Sequence, residues 1–345
     1  MNVKSCWSKL VYGVKSELTK NNKQLLTLLK EQPGQYISGQ KLSELLKVSR
    51  TAVWKQIRKL EAAGYEFEAS SKLGYKLVGE PEQLNIEELK QLMETCRFGQ
   101  LIQYYDKVGT TQIIAREAAE AGAAEGTLVI AEQQLEGRGR MGRSWLSPPS
   151  KGIWMSMVLR PSVPIHFAPQ LTLLTAVALC QALRQTTKLP IGIKWPNDLL
   201  FEGRKISGIL LESVAEEERL KYIIAGVGIS VNLEESDYDP ELLSKAVSLR
   251  MAAGCKLNRS AIIAAFLQQW EQLYDQYHAE GFGPVMALWE QYAVSIGKPA
   301  QLITPQGIII GTPIGLHESG AIRVKLDDGT VKAVFSAEMG ELPKL

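Results

Sequence analysis

The sequence predicts an α+β protein: an N-terminal winged helix-turn-helix, a central mixed-sheet domain with helices packed against it, and a C-terminal SH3-like β-barrel. Three observations predict it. Within residues 22–79, two short amphipathic helices meet at a tight turn and are followed by alternating, strand-like residues. Between residues 102 and 231, apolar strand-like runs alternate with helical patterns and Gly-rich loops, and two helical stretches follow. From about residue 297, short apolar runs are separated by Gly/Pro turns. At 345 residues the chain passes the size, roughly 250–300, at which single cores stop growing. The expected boundaries are 1–19 for an extension that need not be ordered, 20–80, 83–295 and 297–345.

Composition removes several classes. The net charge of +2 hides an asymmetry: residues 20–60 carry nine Lys or Arg against two Glu, a local +7, and residues 1–19 add +2, so the other 285 carry −7. A basic end on an acidic body suggests two partners of opposite charge. Cys6, Cys96, Cys180 and Cys255 lie 75–90 residues apart, which supports neither a zinc site nor a disulfide framework. They are expected to be buried, reduced thiols. His166, His278 and His317 are too scattered for a triad or a metal site, so no metal ligands are assigned. No apolar run reaches the ~18 residues of a membrane span, and the start lacks a signal-peptide pattern. A cytoplasmic protein is expected.

In the first unit, Gln24–Lys30 reads as a helix and Pro33-Gly34-Gln35 as a turn. Leu42, Leu45 and Leu46 mark a second helix. Ser49 N-caps a third, with Ala52, Val53, Ile57 and Leu60 inward. Its other face presents Arg50, Thr51, Trp54, Lys55 and Arg58. Tyr65, Phe67 and Gly74-Tyr75-Lys76-Leu77 form the wing, and Glu80-Pro81-Glu82 the linker. The reading is DNA binding, with Ser49, Arg50, Thr51 and Trp54 near base edges and Lys55 and Arg58 at phosphates. A small domain with a solvated basic face is the alternative.

In the central unit, strands are expected at Ile102–Asp106, Thr127–Glu132, Gly152–Leu159, Ile191–Leu200, Lys205–Glu212 and Tyr222–Val231. Helices are expected at 112–121, Pro169–Thr186, 258–278 and 282–294. Lys194 and Lys205 fall at opposite strand starts, joined through a hairpin at Phe201–Arg204. Gly226 and Gly228 mark a close approach of ligand or backbone. The loop Gly137-Arg138-Gly139-Arg140-Met141-Gly142-Arg143-Ser144-Trp145 spells G-x-G-x-x-G and nearly spells a P-loop. Both motifs need a helix directly after the loop, and Pro148-Pro149 forbids one. What remains is a flexible loop whose arginine forks match carboxylate and phosphate oxygens, with Trp145 as a stacking face. Its alternative is a surface loop that contacts nothing, or nucleic acid. Lys194 and Lys205 read alternatively as edge-strand lysines, and Asn197-Asp198 as a plain turn. Strands at Ala300–Thr304, Gly307–Gly315, Gly320–Leu326 and Thr330–Phe335 complete the last unit.

Three segments in this order, Glu132-Gln133-Gln134 with the Gly137–Trp145 loop, Lys194-Trp195-Pro196-Asn197-Asp198, and Lys205-Ile206-Ser207-Gly208-Ile209-Leu210, resemble the bacterial biotin–protein ligases. With the winged helix, the chain resembles the bifunctional kind that also represses biotin operons. The resemblance spans about residues 22–340 and makes the central unit a biotin-ligase domain.

It implies that biotin carboxylate attacks the α-phosphorus of ATP, supplied with Mg2+, to give biotinyl-5′-AMP and pyrophosphate. A lysine of a biotin carboxyl carrier protein, part of acetyl-CoA carboxylase or another biotin-dependent carboxylase, then attacks the mixed anhydride. Thr110, Thr111, Gln112, Gln134, Gly137, Arg138, Gly139, Arg140, Lys205 and Gly208 are implied at biotin. Arg140, Arg143, Trp145, Asn197 and Ser230 are implied at ATP or the adenylate. Arg138, Lys194, Asn197, Asp198 and Lys205 are implied in catalysis, with Asp198 receiving the acceptor lysine's proton. Gly109, Met141 and Ser230 depart from the family's Asp, Arg and Asn, and Ser336–Glu341 lacks its terminal Arg. A homodimer formed with adenylate bound would meet operator DNA. The competing readings are a ligase with a vestigial DNA-binding domain and a non-catalytic sensor of a small acid or nucleotide.

Overall fold

The computed structural model describes residues 20–340 apart from residues 62–63, 81 and 217–218. The extension expected at 1–19, Cys6 and Glu341 lie outside the described residues.

The first domain contains α1 (Lys20–Lys30), α2 (Gly39–Leu46), α3 (Arg50–Glu61), β1 (Glu66–Ser70) and β2 (Gly74–Gly79). Ser38 and Ser49 cap α2 and α3, each accepting a backbone N–H at 3.1 Å. Leu25, Leu29, Leu42, Val53, Ile57 and Leu60 form the core. Of the three leucines that mark α2, Leu42 is buried and Leu45 is exposed. Backbone bonds of 2.9 Å in both directions join Ile37 to Tyr75 and tie the wing to the segment before α2. A Cβ at Gly74, whose φ is 103°, would lie 2.1 Å from the Ile37 carbonyl oxygen, so only glycine fits.

The central domain runs α4 (Ile86–Leu92), β3 (Ile102–Val108), α5 (Thr111–Glu120), β4 (Leu128–Gln134), β5 (Ile153–Leu159), α6 (Ala168–Thr187), β6 (Gly192–Lys194), β7 (Asp198–Phe201), β8 (Arg204–Glu216) and β9 (Arg219–Ile229). It ends with α7 (Pro240–Leu243), α8 (Leu249–Ala253), α9 (Arg259–Glu280) and α10 (Gly283–Tyr292). The seven-stranded sheet has the order β3-β4-β5-β9-β8-β7-β6, with β3–β4 its parallel pair. Strand alternation sends Ile223 and Ala225 into the main core with α6 and α9, and Tyr222 and Ile224 to the α5 face. By length and hydropathy Ile165–Thr187 could cross a membrane, yet most of it is buried as the central core helix.

The expected strand Ile191–Leu200 is two strands. Residues 195–197 turn between β6 and β7, because Pro196 has no N–H for the ladder and Trp195 is drawn into the core. Lys194 therefore ends β6, while Lys205 opens β8, a correction to the expected strand starts. Cys180 is buried, with its thiol pushed up to about 12 by desolvation. Cys96 and Cys255 are exposed instead of buried, since Cys96 falls in the loop between α4 and β3 and Cys255 in the loop between α8 and α9.

One ion pair is almost fully buried. Arg259 Nη1 donates to Glu132 Oε2 at 2.8 Å and to the Gly152 carbonyl at 3.0 Å. Glu132 also accepts from Leu84 N and Tyr104 Oη, both at 2.6 Å, and Arg259 donates to the Glu82 carbonyl. Desolvation, then the Glu132 charge, hold the Tyr104 phenol far above its usual pKa. The linker residues 82–84 are thereby fixed to the strand that leads into the arginine loop.

The last domain comprises β10 (Ala300–Thr304), β11 (Gly307–Leu316), β12 (Ile322–Lys325), β13 (Val331–Val334) and β14 (Glu338–Gly340). The antiparallel order β13-β12-β11-β10-β14 is compatible with an SH3-like barrel, though β13 and β14 do not pair to close it.

Candidate active site and DNA-facing helix

The arginine loop is a short hairpin, not the flexible loop expected. Trp145 N donates to Gly137 O at 2.8 Å, Gly139 N to Arg143 O at 2.7 Å, and Arg138 bridges to Ser144. A single 3-10 turn at Arg140–Gly142 makes the tip, with φ of 56° at Met141 and 73° at Gly142. No α-helix follows, as the two prolines require.

Beneath the hairpin lies a polar network. Gln134 Oε1 accepts from Thr111 N at 2.9 Å, Thr111 Oγ1 at 3.1 Å and Thr110 Oγ1 at 3.3 Å, and its Nε2 donates to Ser147 Oγ at 3.1 Å. Gln112 is buried and turned into the sheet. Its Nε2 donates to the Leu210 and Ile224 carbonyls at 3.1 and 3.2 Å, and its Oε1 accepts from Ser156 Oγ at 2.8 Å. With both ends of its amide satisfied, Gln112 shapes the floor beneath β8 and β9.

Trp145 lies on that floor. Gly208 and Gly228 are direct partners across β8 and β9. A Cβ on Gly228 would fall 2.5 Å from Trp145 Nε1, and one on Gly208 3.1 Å from the same ring. Lys205 Nζ is 5.1 Å from the ring centroid and 2.6 Å from Asp198 Oδ1. Asn197, buried in the turn before β7, donates to the Ile209 carbonyl at 2.7 Å and accepts from Arg140 at 3.3 Å.

The C-terminal domain joins this arrangement, which the sequence did not reveal. Arg140 donates to Ser336 Oγ at 3.2 Å and to the Ala337 carbonyl at 3.5 Å. Arg143 pairs with Glu338, whose carboxyl is held below its usual pKa chiefly by that hydrogen bond and further by Lys194 and Arg140. Burial holds the Arg140 guanidinium below its usual range. Arg138 stands apart: exposed, it pairs with Glu136 at 3.3 Å. Ser230 is buried beside Tyr238, its backbone bonded to Ile206 O and Leu249 N. The signal for the missed Ser336 and Glu338 is tertiary: they lie about two hundred residues from their partners.

On α3, Arg50, Thr51, Trp54, Lys55 and Arg58 are exposed together, as expected of a recognition face. The Arg58 guanidinium lies 5.7 Å from the Trp54 ring and pairs with Glu61 at 3.0 Å. The Ser49 hydroxyl is engaged in the cap, so its first task is to start the helix.

Residues 108–230 match the biotin/lipoate A/B protein ligase family, and residues 21–76 match a helix-turn-helix domain. The bifunctional ligase/repressor BirA of Bacillus subtilis (strain 168) is 42% identical over 317 residues, covering 92% of this chain and 97% of that protein. The BirA of Escherichia coli K12 is 28% identical, covering 89% and 93%. Among solved structures, the biotin protein ligase of Aquifex aeolicus in complex with biotin and ATP superposes with a TM-score of 0.61 at 28% identity, covering 70% of this chain and 98% of that one. The chain therefore belongs to the biotin–protein ligases, in the bifunctional form that joins the ligase domain to a helix-turn-helix repressor domain.

Proposed function

We propose that the chain activates biotin with MgATP, transfers it to a carrier-protein lysine, and represses a biotin operon when the intermediate accumulates. The observation that carries the chemistry is the convergence of Lys205, Asp198, Asn197 and Arg140 where the start of β8 meets β7, under the Trp145 ring. Two anionic reactants need fixed positive charge to approach. Lys205 serves at the junction of carboxylate and α-phosphate, and Arg140, Arg143 and Lys194 serve along the polyphosphate. A carboxylate oxygen of biotin attacks the α-phosphorus, the bond to the β-phosphate oxygen breaks, and pyrophosphate leaves. In the second step the carrier amine attacks the acyl carbon, AMP leaves, and Asp198 takes the amine's proton. Thr110, Thr111 and Gln134 orient the ureido end, Gln112 supports the pocket floor, and Gly137, Gly139 and Gly208 admit the ligand closely. Arg138, exposed in this conformation, swings in over the bound carboxylate.

For repression, α3 enters the major groove and the wing tracks the backbone. The described part of β8 beyond Leu211 pairs with β9 on one side and has no strand on the other. That edge suits a second copy of the chain, giving two winged helices for two half-sites. A cytoplasmic location follows from this pairing of substrates.

Arg138→Ala tests the reading. The variant, incubated with biotin and MgATP, is expected to form or retain little biotinyl-5′-AMP by mass spectrometry; wild-type levels contradict the assignment. Removing residues 1–80 is expected to abolish operator shifts while leaving some biotinylation.

A further inference from the structure

The tip of the arginine hairpin is held from the C-terminal domain by a group of the same sign as a phosphate. Arg143 Nη2 donates to Glu338 Oε2, and among the described residues Glu338 is the one hydrogen-bond partner of that guanidinium. The charges of Arg140 and Lys194 act on the same carboxylate. Asp198, the other carboxylate nearby, is taken by Lys205 at 2.6 Å. Arg140 bonds to neutral oxygens, those of Asn197, Ser336 and Ala337. Three cations therefore face one carboxylate. The platform under Glu338 is fixed: Gln170 of α6 donates to the Glu318 carbonyl at 2.7 Å, and Glu290 of α10 accepts from Leu316 N at 2.8 Å. Ala337 and Met339, to either side of Glu338, are buried. The ion pair itself is open to water, with the Arg143 and Glu338 side chains 62% and 42% exposed. Ion pairs this exposed are weak and open readily.

A polyphosphate and Glu338 compete for the same guanidinium. The carboxylate brings one negative charge and two oxygens to Arg143. The triphosphate of ATP, or pyrophosphate, brings several charges and more oxygens, spread along a chain that can engage neighbouring cations together. The two anions repel each other if both stay against Arg143. Exchange relieves that repulsion, because the Arg143–Glu338 pair is exposed and Glu338 can turn to water. We propose that Glu338 is an internal competitor of the polyphosphate: it holds Arg143 while the site is empty, is turned out when ATP binds, and closes on Arg143 again as pyrophosphate leaves. The proposal rests on the adenylating reading above, which puts Arg143 on the polyphosphate. Its consequence is that ATP and pyrophosphate are both held less tightly than the three cations alone would hold them, since part of the chain is always in the closed, competing form.

The test is Glu338→Gln in the full-length chain, which keeps the shape of the side chain and removes its charge. Dissociation constants for tripolyphosphate, pyrophosphate and biotin are measured by calorimetry, each ligand alone, and KM for MgATP is measured in adenylate formation. Both polyanions are expected to bind about three- to tenfold more tightly, the gain from removing one like charge at a screened surface, and KM for MgATP to fall with them. Biotin binding is expected to stay at its wild-type value. A merely structural disturbance would weaken polyanion binding, so the sign of the change separates the two. In an Arg143→Ala background, Glu338→Gln is expected to change polyanion binding by less than about twofold. Unchanged or weaker polyanion binding in Glu338→Gln overturns the proposal, the weaker result meaning that Glu338 orients Arg143 for the polyphosphate. A gain of the same size in the Arg143→Ala background overturns it too. Tighter polyanion binding in a chain whose wild type forms no adenylate upholds the exchange and overturns the ligase reading. A wild-type chain that binds neither polyanion and forms no adenylate overturns both.

Discussion

Gly226 and Gly228 sit two residues apart on one face of β9, yet a methyl group added to each should fail in a different way. Neither needs a left-handed backbone, so alanine is judged by space alone. At Gly226 the new Cβ would lie 2.6 Å from Gln112 Oε1, against an ordinary contact of at least 3.4 Å, so the amide must retreat by about 0.8 Å. It is held by bonds to Leu210, Ile224 and Ser156 inside the sheet. Overpacking costs about 1–3 kcal/mol and each strained hydrogen bond about 0.5–1.5 kcal/mol, so G226A should lose roughly 2–4 kcal/mol of stability. At Gly228 the Cβ would lie 2.5 Å from Trp145 Nε1. That ring belongs to a half-buried loop residue with no hydrogen bond to break. It should move aside for less than about 1 kcal/mol. Its place over Gly208 and beside Lys205 is then lost, and adenylation should fall about tenfold or more through misplacement of the reacting groups. The assay pairs urea unfolding with adenylate formation for both variants. A G226A midpoint equal to wild type, or a G228A enzyme with unaltered kinetics, refutes the reasoning.

Three further outcomes are expected. Arg259→Met leaves the Glu132 carboxylate buried without its charge partner and should destabilise the central domain by about 3–5 kcal/mol, read by denaturant titration. The Glu338 carboxyl has a folded pKa below its unfolded value of 4.5, so the stabilisation it gives is complete above that pH and is lost as pH falls through the lower, folded value. The stability difference between wild type and Glu338→Gln should therefore hold from neutral pH down to about 4.5 and shrink below it; a difference that grows on acidification contradicts the Arg143–Glu338 contact. Lys55→Ala should weaken operator binding across all sequences and reduce the salt dependence by about one counterion.

Much of this architecture was legible because the residues that build it are local in sequence. Ser49 announces α3 as a cap, and Val53, Ile57 and Leu60, at i, i+4 and i+7, supply the stripe it buries. Pro148-Pro149 ruled out a phosphate-binding helix after the glycine loop, and the chain indeed continues without one. Pro196 carried the signal that Ile191–Leu200 is two strands, but the long apolar run around it outweighed that signal. The polar clusters were harder to read. Gln112 has a motif position that suggests ligand contact, while its surroundings, contributed by β5, β8 and β9, turn both ends of its amide inward. Glu338 reaches Arg143 from a different domain, and no periodicity encodes such a pairing.

The central claim concerns where biotin ends up. Full-length protein is incubated with biotin, MgATP and a biotin carboxyl carrier domain, and the carrier is weighed intact and after digestion. A mass gain of one biotinyl group on a single carrier lysine, dependent on ATP and lost with Lys205→Ala, is the expected result. A carrier of unchanged mass, with biotin and MgATP both bound by the protein, contradicts the ligase reading and leaves a ligand-sensing regulator in its place.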